Sequence, residues 1–149
     1  MISSTLIIQY RQPQKGDTMQ LIDSLKMFSI TVSDMKKSKA FYADALGLKI
    51  TQDYREDDDN WWVTLEFPSG GAAITLGKAA KYGADEPLKP GMIGMYLTTT
   101  NLEATRGELS KKGVKVSEIM DDLFGPGSGT QFISIEDPDG NAINVLQES

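Results

Sequence analysis

Along this chain the apolar positions change period twice, and both times in the same order. In Lys26–Asp34, KMFSITVSD, the residues Phe28, Ile30 and Val32 alternate with Met27, Ser29 and Thr31. That two-residue period is the mark of a half-buried strand. Ser33 or Asp34 then caps a helix. Within MKKSKAFYADALG, Phe41, Tyr42, Ala45 and Leu46 recur at helical spacing, and Gly47 suits the left-handed position that ends a helix. LKITQDY reads as a second strand and the acidic run Arg55–Asn60 as a turn. WWVTLEF and AAITLG read as two further strands joined by a PSGG turn. The order is β-α-β-β-β.

Residues 77 to 92 hold Gly and Pro without periodicity and read as a connection. The pattern then returns. GMYLTTT is a strand, Asn101 a cap and LEATRGELSKKG a helix ending at Gly113. VKVSEIM is a strand, and QFISIE and AINVLQ are two strands joined by DPDG. Asp34 precedes Gly47 by 13 residues and Asn101 precedes Gly113 by 12, while Pro68-Ser69-Gly70 matches Pro138-Asp139-Gly140. A unit present only twice suggests paired half-barrels rather than an array. The chain divides into an N-terminal extension, 1–24, and one domain, 25–149, built from a module at 25–79, a linker at 80–91 and a module at 92–147. Met19 is an alternative natural start, and Thr5–Tyr10 an alternative edge strand.

Composition narrows the chemistry. With 149 residues, 40% of them hydrophobic, the chain can bury the core of one domain. Its net charge of −6 argues against sequence-independent nucleic-acid binding, which needs clustered Lys and Arg, and favours a cationic ligand. The simpler role for that charge is to keep a small protein soluble. The N-terminus lacks the basic and apolar stretches of a signal peptide, and no apolar run approaches the roughly 20 residues that span a bilayer. Together with the absence of Cys this predicts a cytoplasmic protein. There is no His at all, which removes the commonest metal ligand and the commonest general base near neutral pH.

VSDMKKSKAFYADALGLKI resembles the first-module signature of the glyoxalase/bleomycin-resistance/dioxygenase, or vicinal oxygen chelate, superfamily, and EDPDGNAINV resembles its second-module hairpin. The resemblance covers about residues 26 to 147. It implies an α+β fold of two βαβββ modules forming a cupped mixed sheet. In metal-dependent members of that family four ligands point into the cup, and by register these positions fall on Met27, Thr75, Gly94 (or Ile93) and Asn144. A thioether, a hydroxyl, a bare backbone and an amide cannot replace two imidazoles and two carboxylates around a divalent ion. The resemblance therefore implies no metal and no cofactor. It argues against the metal-dependent isomerase and ring-cleaving mechanisms and points to the dimeric, drug-sequestering branch.

With Phe28, Ile30 and Val32 against the helices, alternation turns Met27, Ser29 and Thr31 into the cup, with Tyr96 and Thr98 in the second module. The hairpins add Trp62, Thr64 and Glu66, with Phe132 and Ser134 in matching places; Thr75 and Asn144 complete the candidate ligand site. Such a mixture of rings and hydroxyls suits a flat or amphipathic organic ligand. Each residue also has a plainer role. One of Trp61 and Trp62 belongs in a core whatever the function, Met27 can simply pack, and Thr75 and Asn144 can satisfy local hydrogen bonds. Glu66 is the carboxylate placed in the cup. If partly buried it could act as the base of a metal-independent lyase or isomerase; otherwise it is an exposed strand residue. Asp57-Asp58-Asp59 reads as a solvated loop or a weak calcium site. DDLFGPGSGT reads as a lid or an irregular connection.

Overall fold

A computed structural model of the chain describes residues 21–78 and 94–148. Most of the N-terminal extension, the linker 80–91, Met92, Ile93 and Met19 lie outside the described residues. The first module comprises β1 (Met27–Thr31), α1 (Met35–Lys39) with a π-helical continuation Ala40–Ala45, β2 (Lys49–Arg55), β3 (Trp61–Glu66) and β4 (Ala73–Gly77). The second comprises β5 (Met95–Thr99), α2 (Leu102–Lys111), β6 (Phe132–Glu136) and β7 (Ala142–Gln147). The strands form a four-stranded sheet, β1-β4-β3-β2, and a three-stranded sheet, β5-β7-β6. In each, the first strand runs parallel to the last, and the hairpins are antiparallel. The repeat read from the chain is therefore a repeat of topology.

Helix ends follow from single residues. The Asp34 carboxylate accepts from the backbone N–H of Lys37 at 3.1 Å, and the Asn101 side chain accepts from that of Ala104 at 3.0 Å. Each satisfies an otherwise orphaned donor of the first turn. Gly47 and Gly113 close the helices at φ of 80° and 82°, a left-handed conformation that costs residues with a Cβ. The extra residue between cap and glycine in the first module has a structural counterpart. Leu46 N–H donates to Phe41 C=O at 3.0 Å, five residues back, so the additional residue is absorbed as a wide π turn.

One expected strand does not form. VKVSEIM makes only isolated bridges, Val116 to Ile135 and Met120 to Phe132, whose registers differ by one residue. The cause is local: the Ser117 hydroxyl accepts the Ser134 N–H at 2.8 Å, taking the place of a backbone carbonyl in the ladder. The segment bulges there, and the second sheet is left with three regular strands.

Ile30, Val32, Val63, Leu65, Ile74 and Leu76 of the first sheet, and Ile133, Ile135, Ile143 and Val145 of the second, are buried in one apolar cluster with Met35, Phe41, Tyr42, Leu102 and Leu109 from the helices. Helices thus cover one face of each sheet. Tyr42 on the first module and Asp137 on the second hydrogen-bond across the boundary, and Lys112 donates to the Asp44 carbonyl at 2.9 Å. Among the described residues, no helix is long and apolar enough to cross a membrane.

Candidate functional site

The opposite faces of the sheets are the ones the alternation pointed to. In the first module Met27 and Ser29 are exposed on β1 while Ile30 is buried. Ser29 lies beside Thr75 of β4, and Thr75 beside Thr64 of β3. Thr75 Oγ1 donates to the Met27 sulfur at 3.2 Å and lies 3.3 Å from Thr64 Oγ1. Both threonines are buried, at 6% and 7% exposure, so this small network supplies partners to hydroxyls that water reaches poorly.

Trp61 and Trp62 separate as alternation requires. Trp61 is buried on the helix side, where its Nε1–H donates to Asp53 at 2.8 Å and the Arg55 guanidinium sits 4.4 Å from its ring. The Asp53 carboxylate, which also pairs with Lys39, is held below the usual carboxylate range by that ammonium and by the indole N–H. Trp62 lies on the open face. Tyr54 stacks on it with ring centroids 4.3 Å apart, and its Nε1–H donates to Gln52 at 3.3 Å.

Tyr54 and Gln52 were absent from the site drawn from the chain, and the reason is a bulge. Lys49 pairs with Glu66 and Gln52 with Thr64, so the register slips between Ile50 and Gln52. Alternation counted from Ile50 places Gln52 and Tyr54 on the core side; the slip turns them out.

In the second sheet Tyr96 and Ser134 flank Asn144, and Thr98 and Phe132 flank Leu146. Tyr96 and Thr98 are exposed, and Phe132, Ser134 and Asn144 half-buried. Phe124, from the loop before β6, stands 6.2 Å from Tyr96 between ring centroids. It too was not singled out, because an irregular loop carries no period from which a facing can be read. The loop itself is closed by Leu123 N–H to Thr130 C=O and by the Asp122 carboxylate, which accepts from Gly129 N–H at 2.8 Å.

Glu66 is exposed at the end of β3 opposite Lys49, so the partial burial considered for it does not occur. It shares a depression of about 540 Å³ with Met27, Leu25 and Ala73. A larger cavity, about 640 Å³, lies on the helix side between the modules, lined by Leu46, Phe67, Leu97, Thr105 and Leu109, and reaches Tyr96 and Thr98 along the edge of β5. Neither cavity gathers the two halves of the candidate site. Asp57 accepts from the N–H groups of Asp59 and Asn60 at 2.9 and 2.8 Å, which folds the acidic run into a turn.

The resemblance places the family's ligand positions on Met27, Thr75, Gly94 and Asn144. Thr75 lies diagonally across from Met27, and Asn144 pairs with Tyr96, two residues beyond Gly94, which immediately precedes β5. Their chemistry does not fit a divalent ion. Thr75 is engaged with a thioether and a second hydroxyl, Asn144 offers a neutral amide, and Gly94 has no side chain. Among the described residues no three His, Cys, Asp or Glu side chains cluster to replace them.

Residues 24–145 match the Glyoxalase/Bleomycin resistance protein/Dioxygenase superfamily. The chain belongs to this superfamily. It is 30% identical over 131 residues to the uncharacterized protein YwkD of Bacillus subtilis (strain 168), covering 86% of this chain and 99% of that one. Among solved structures it is similar to a superfamily member from Sphaerobacter thermophilus DSM 20745, at 25% identity and a TM-score of 0.70, covering 85% of this chain and 98% of that one. It is also similar in fold to TnmS3, an antibiotic binding protein from Streptomyces sp. CB03234, at 24% identity and a TM-score of 0.68, covering 88% and 100%. The superfamily signature seen in the chain and the duplicated topology are thereby accounted for.

Proposed function

We propose that this superfamily member binds a flat or amphipathic organic molecule on the open faces of its sheets, without a metal and without turnover. The observation that carries the reading is the hydrogen-bonded network of Met27, Thr75 and Thr64, at two positions where the resemblance expects metal ligands. Where a metal-dependent relative needs charged or imidazole donors, the Thr75 hydroxyl donates a hydrogen bond to the sulfur of Met27. Around this network the first sheet offers the Tyr54–Trp62 stack, the Ser29 hydroxyl and the Gln52 amide, and the open face of the second sheet offers the Thr98 hydroxyl and the Asn144 amide. That TnmS3 binds an antibiotic on the same fold supports the reading at the level of architecture.

The open faces also call for a cover. Met27, Tyr54, Tyr96 and Phe124 are exposed at 38%, 43%, 59% and 65%, more large apolar surface than an isolated sheet face retains at no cost. A homodimer in which each sheet faces its counterpart encloses two sites and buries these rings. A base-catalysed alternative draws no support from Glu66, which stands in open solvent beside Lys49.

The test is intrinsic fluorescence with a panel of flat aromatic compounds, because Trp62 lies on the open face. Saturable quenching that is lost in Trp62→Phe, with no product formed, supports binding. A flat response across the panel overturns it. Metal analysis of protein purified without added metal is the second arm: stoichiometric zinc, nickel, manganese or iron contradicts the assignment.

A further inference from the structure

On the helix side, away from the open faces, the boundary between the modules leaves a cavity of about 640 Å³, within the roughly 300–1,000 Å³ typical of small-molecule sites. Both modules build its wall. Leu46 and Phe67 come from the first, and Leu97, Leu109 and Val145 from the second. Leu109 and Val145 are buried, and Leu46, Phe67 and Leu97 are half-buried residues packed against the apolar cluster. The cavity is therefore an opening at the edge of the core rather than a dent in polar surface.

Two local features shape it. Ala104, Thr105, Glu108 and Leu109 recur one turn apart along α2, so one stripe of that helix borders the cavity. From the first module, Ala45 and Leu46 come from the end of the π-helical turn. Such turns are rare and concentrate at functional sites, and α2, the corresponding helix, is α-helical throughout. The extra residue of the first helix falls at the wall of this cavity.

Polar groups in the wall are few. Thr99 and Thr105 place their hydroxyl oxygens 2.8 Å apart. Glu108 is the single charged side chain among the lining residues. Its partner Lys111 stands 3.6 Å away with the two side chains 64% and 78% exposed, where solvent screens the pair. A carboxylate so weakly held, beside hydroxyls and an apolar wall, suits an ammonium carried on an apolar body. A carboxylate on the same body meets repulsion.

We infer that this cavity is a second binding site and that it takes compact apolar amines, with the hydrocarbon against Leu46, Phe67 and Leu97 and the ammonium at Glu108. The site does not depend on the reading of the open faces, because neither Trp62 nor Tyr54 lines it.

Calorimetric titration of the full-length protein with 1-aminoadamantane and with adamantane-1-carboxylate is the test, since the two share one apolar cage that cannot stack as a flat ring. The amine binds saturably and about fivefold more tightly than the acid. Glu108→Gln brings the two to within about twofold of each other, as does high salt. Ala104→Trp, at an exposed helix position bordering the cavity, fills the space and weakens the amine about tenfold. Its unfolding midpoint matches that of the parent, so a lost affinity is not a lost fold. Trp62→Phe leaves the affinity for the amine unchanged. An affinity untouched by Ala104→Trp, or abolished by Trp62→Phe, puts the probe elsewhere and overturns the site. Equal affinity of the parent for amine and acid overturns the assigned class, and no binding of either overturns the inference as a whole.

Discussion

Tyr42 and Asp137, 95 residues apart in the chain, share a buried hydrogen bond of 2.7 Å in which the phenol donates to the carboxylate. It ties the helix of the first module to the DPDG hairpin of the second. Asp137 also accepts from the N–H groups of Asp139 and Asn141 and from the Asn141 side chain, so a single carboxylate organises the hairpin and receives the neighbouring module. The matching hairpin position in the first module is Phe67, so this tie occurs on one side of the duplication only.

Tyr42→Phe removes one donor to a charged acceptor and leaves the others. Hydrogen bonds to charged groups contribute about 1.5–3 kcal/mol, and a loss in that range is expected by urea unfolding at neutral pH. Burial first, and then the Asp137 charge, push the Tyr42 phenol far above its ordinary value. The unfolded chain therefore releases this proton from about pH 10 upward while the folded chain keeps it. The parent should lose stability as pH rises above that point, and Tyr42→Phe should lack this component. Identical alkaline profiles would contradict the assignment.

Asp53 gives the opposite sign. Its pairing with Lys39 and with the Trp61 indole holds it below the usual range, so its contribution is present above about pH 4 and disappears as pH falls further. Asp53→Asn should flatten that acid limb. The effect is small because the pair is a third exposed on each side, where solvent screens it. Thermal midpoints between acid and neutral pH check it.

Thr75→Val is nearly isosteric but leaves the Thr64 hydroxyl and the Met27 sulfur without their partner. The expected cost is about 1 kcal/mol with the fold retained, measurable by denaturant titration. Because Thr75 is not charged in the parent, dialysis against a chelator should leave the stability of both proteins unchanged. A chelator-induced drop in the parent would restore a metal to the site.

Ile74 sits in β4, flanked by β1 and β3, and is fully buried. Ile74→Ala should cost about 2–5 kcal/mol, the lost transfer energy plus the cavity left behind. Calorimetric unfolding gives the value; a cost under about 1 kcal/mol would show that the site collapses around the smaller side chain.

The fold was legible in the chain because its signals are local. Side-chain alternation in β1, β3 and β5, the caps at Asp34 and Asn101 and the terminating glycines 47 and 113 each depend on residues within a turn or two of one another, and the second copy repeats them. Even the extra residue that becomes a π turn in the first helix was visible as a spacing. By contrast, whether a strand stays regular depends on its neighbour. Ser117 takes the Ser134 N–H and interrupts the ladder of the second sheet, and the slip between Ile50 and Gln52 sends Tyr54 to the open face. No periodicity within one segment contains either event. The chain by itself determined that histidine and cysteine are absent, and therefore that imidazole and thiolate chemistry is missing. Only the tertiary structure decided that Thr75 is engaged with Met27, that Tyr54 stacks on Trp62 and that Phe124 stands beside Tyr96, because each of these contacts joins residues whose separation in sequence carries no information about their separation in space.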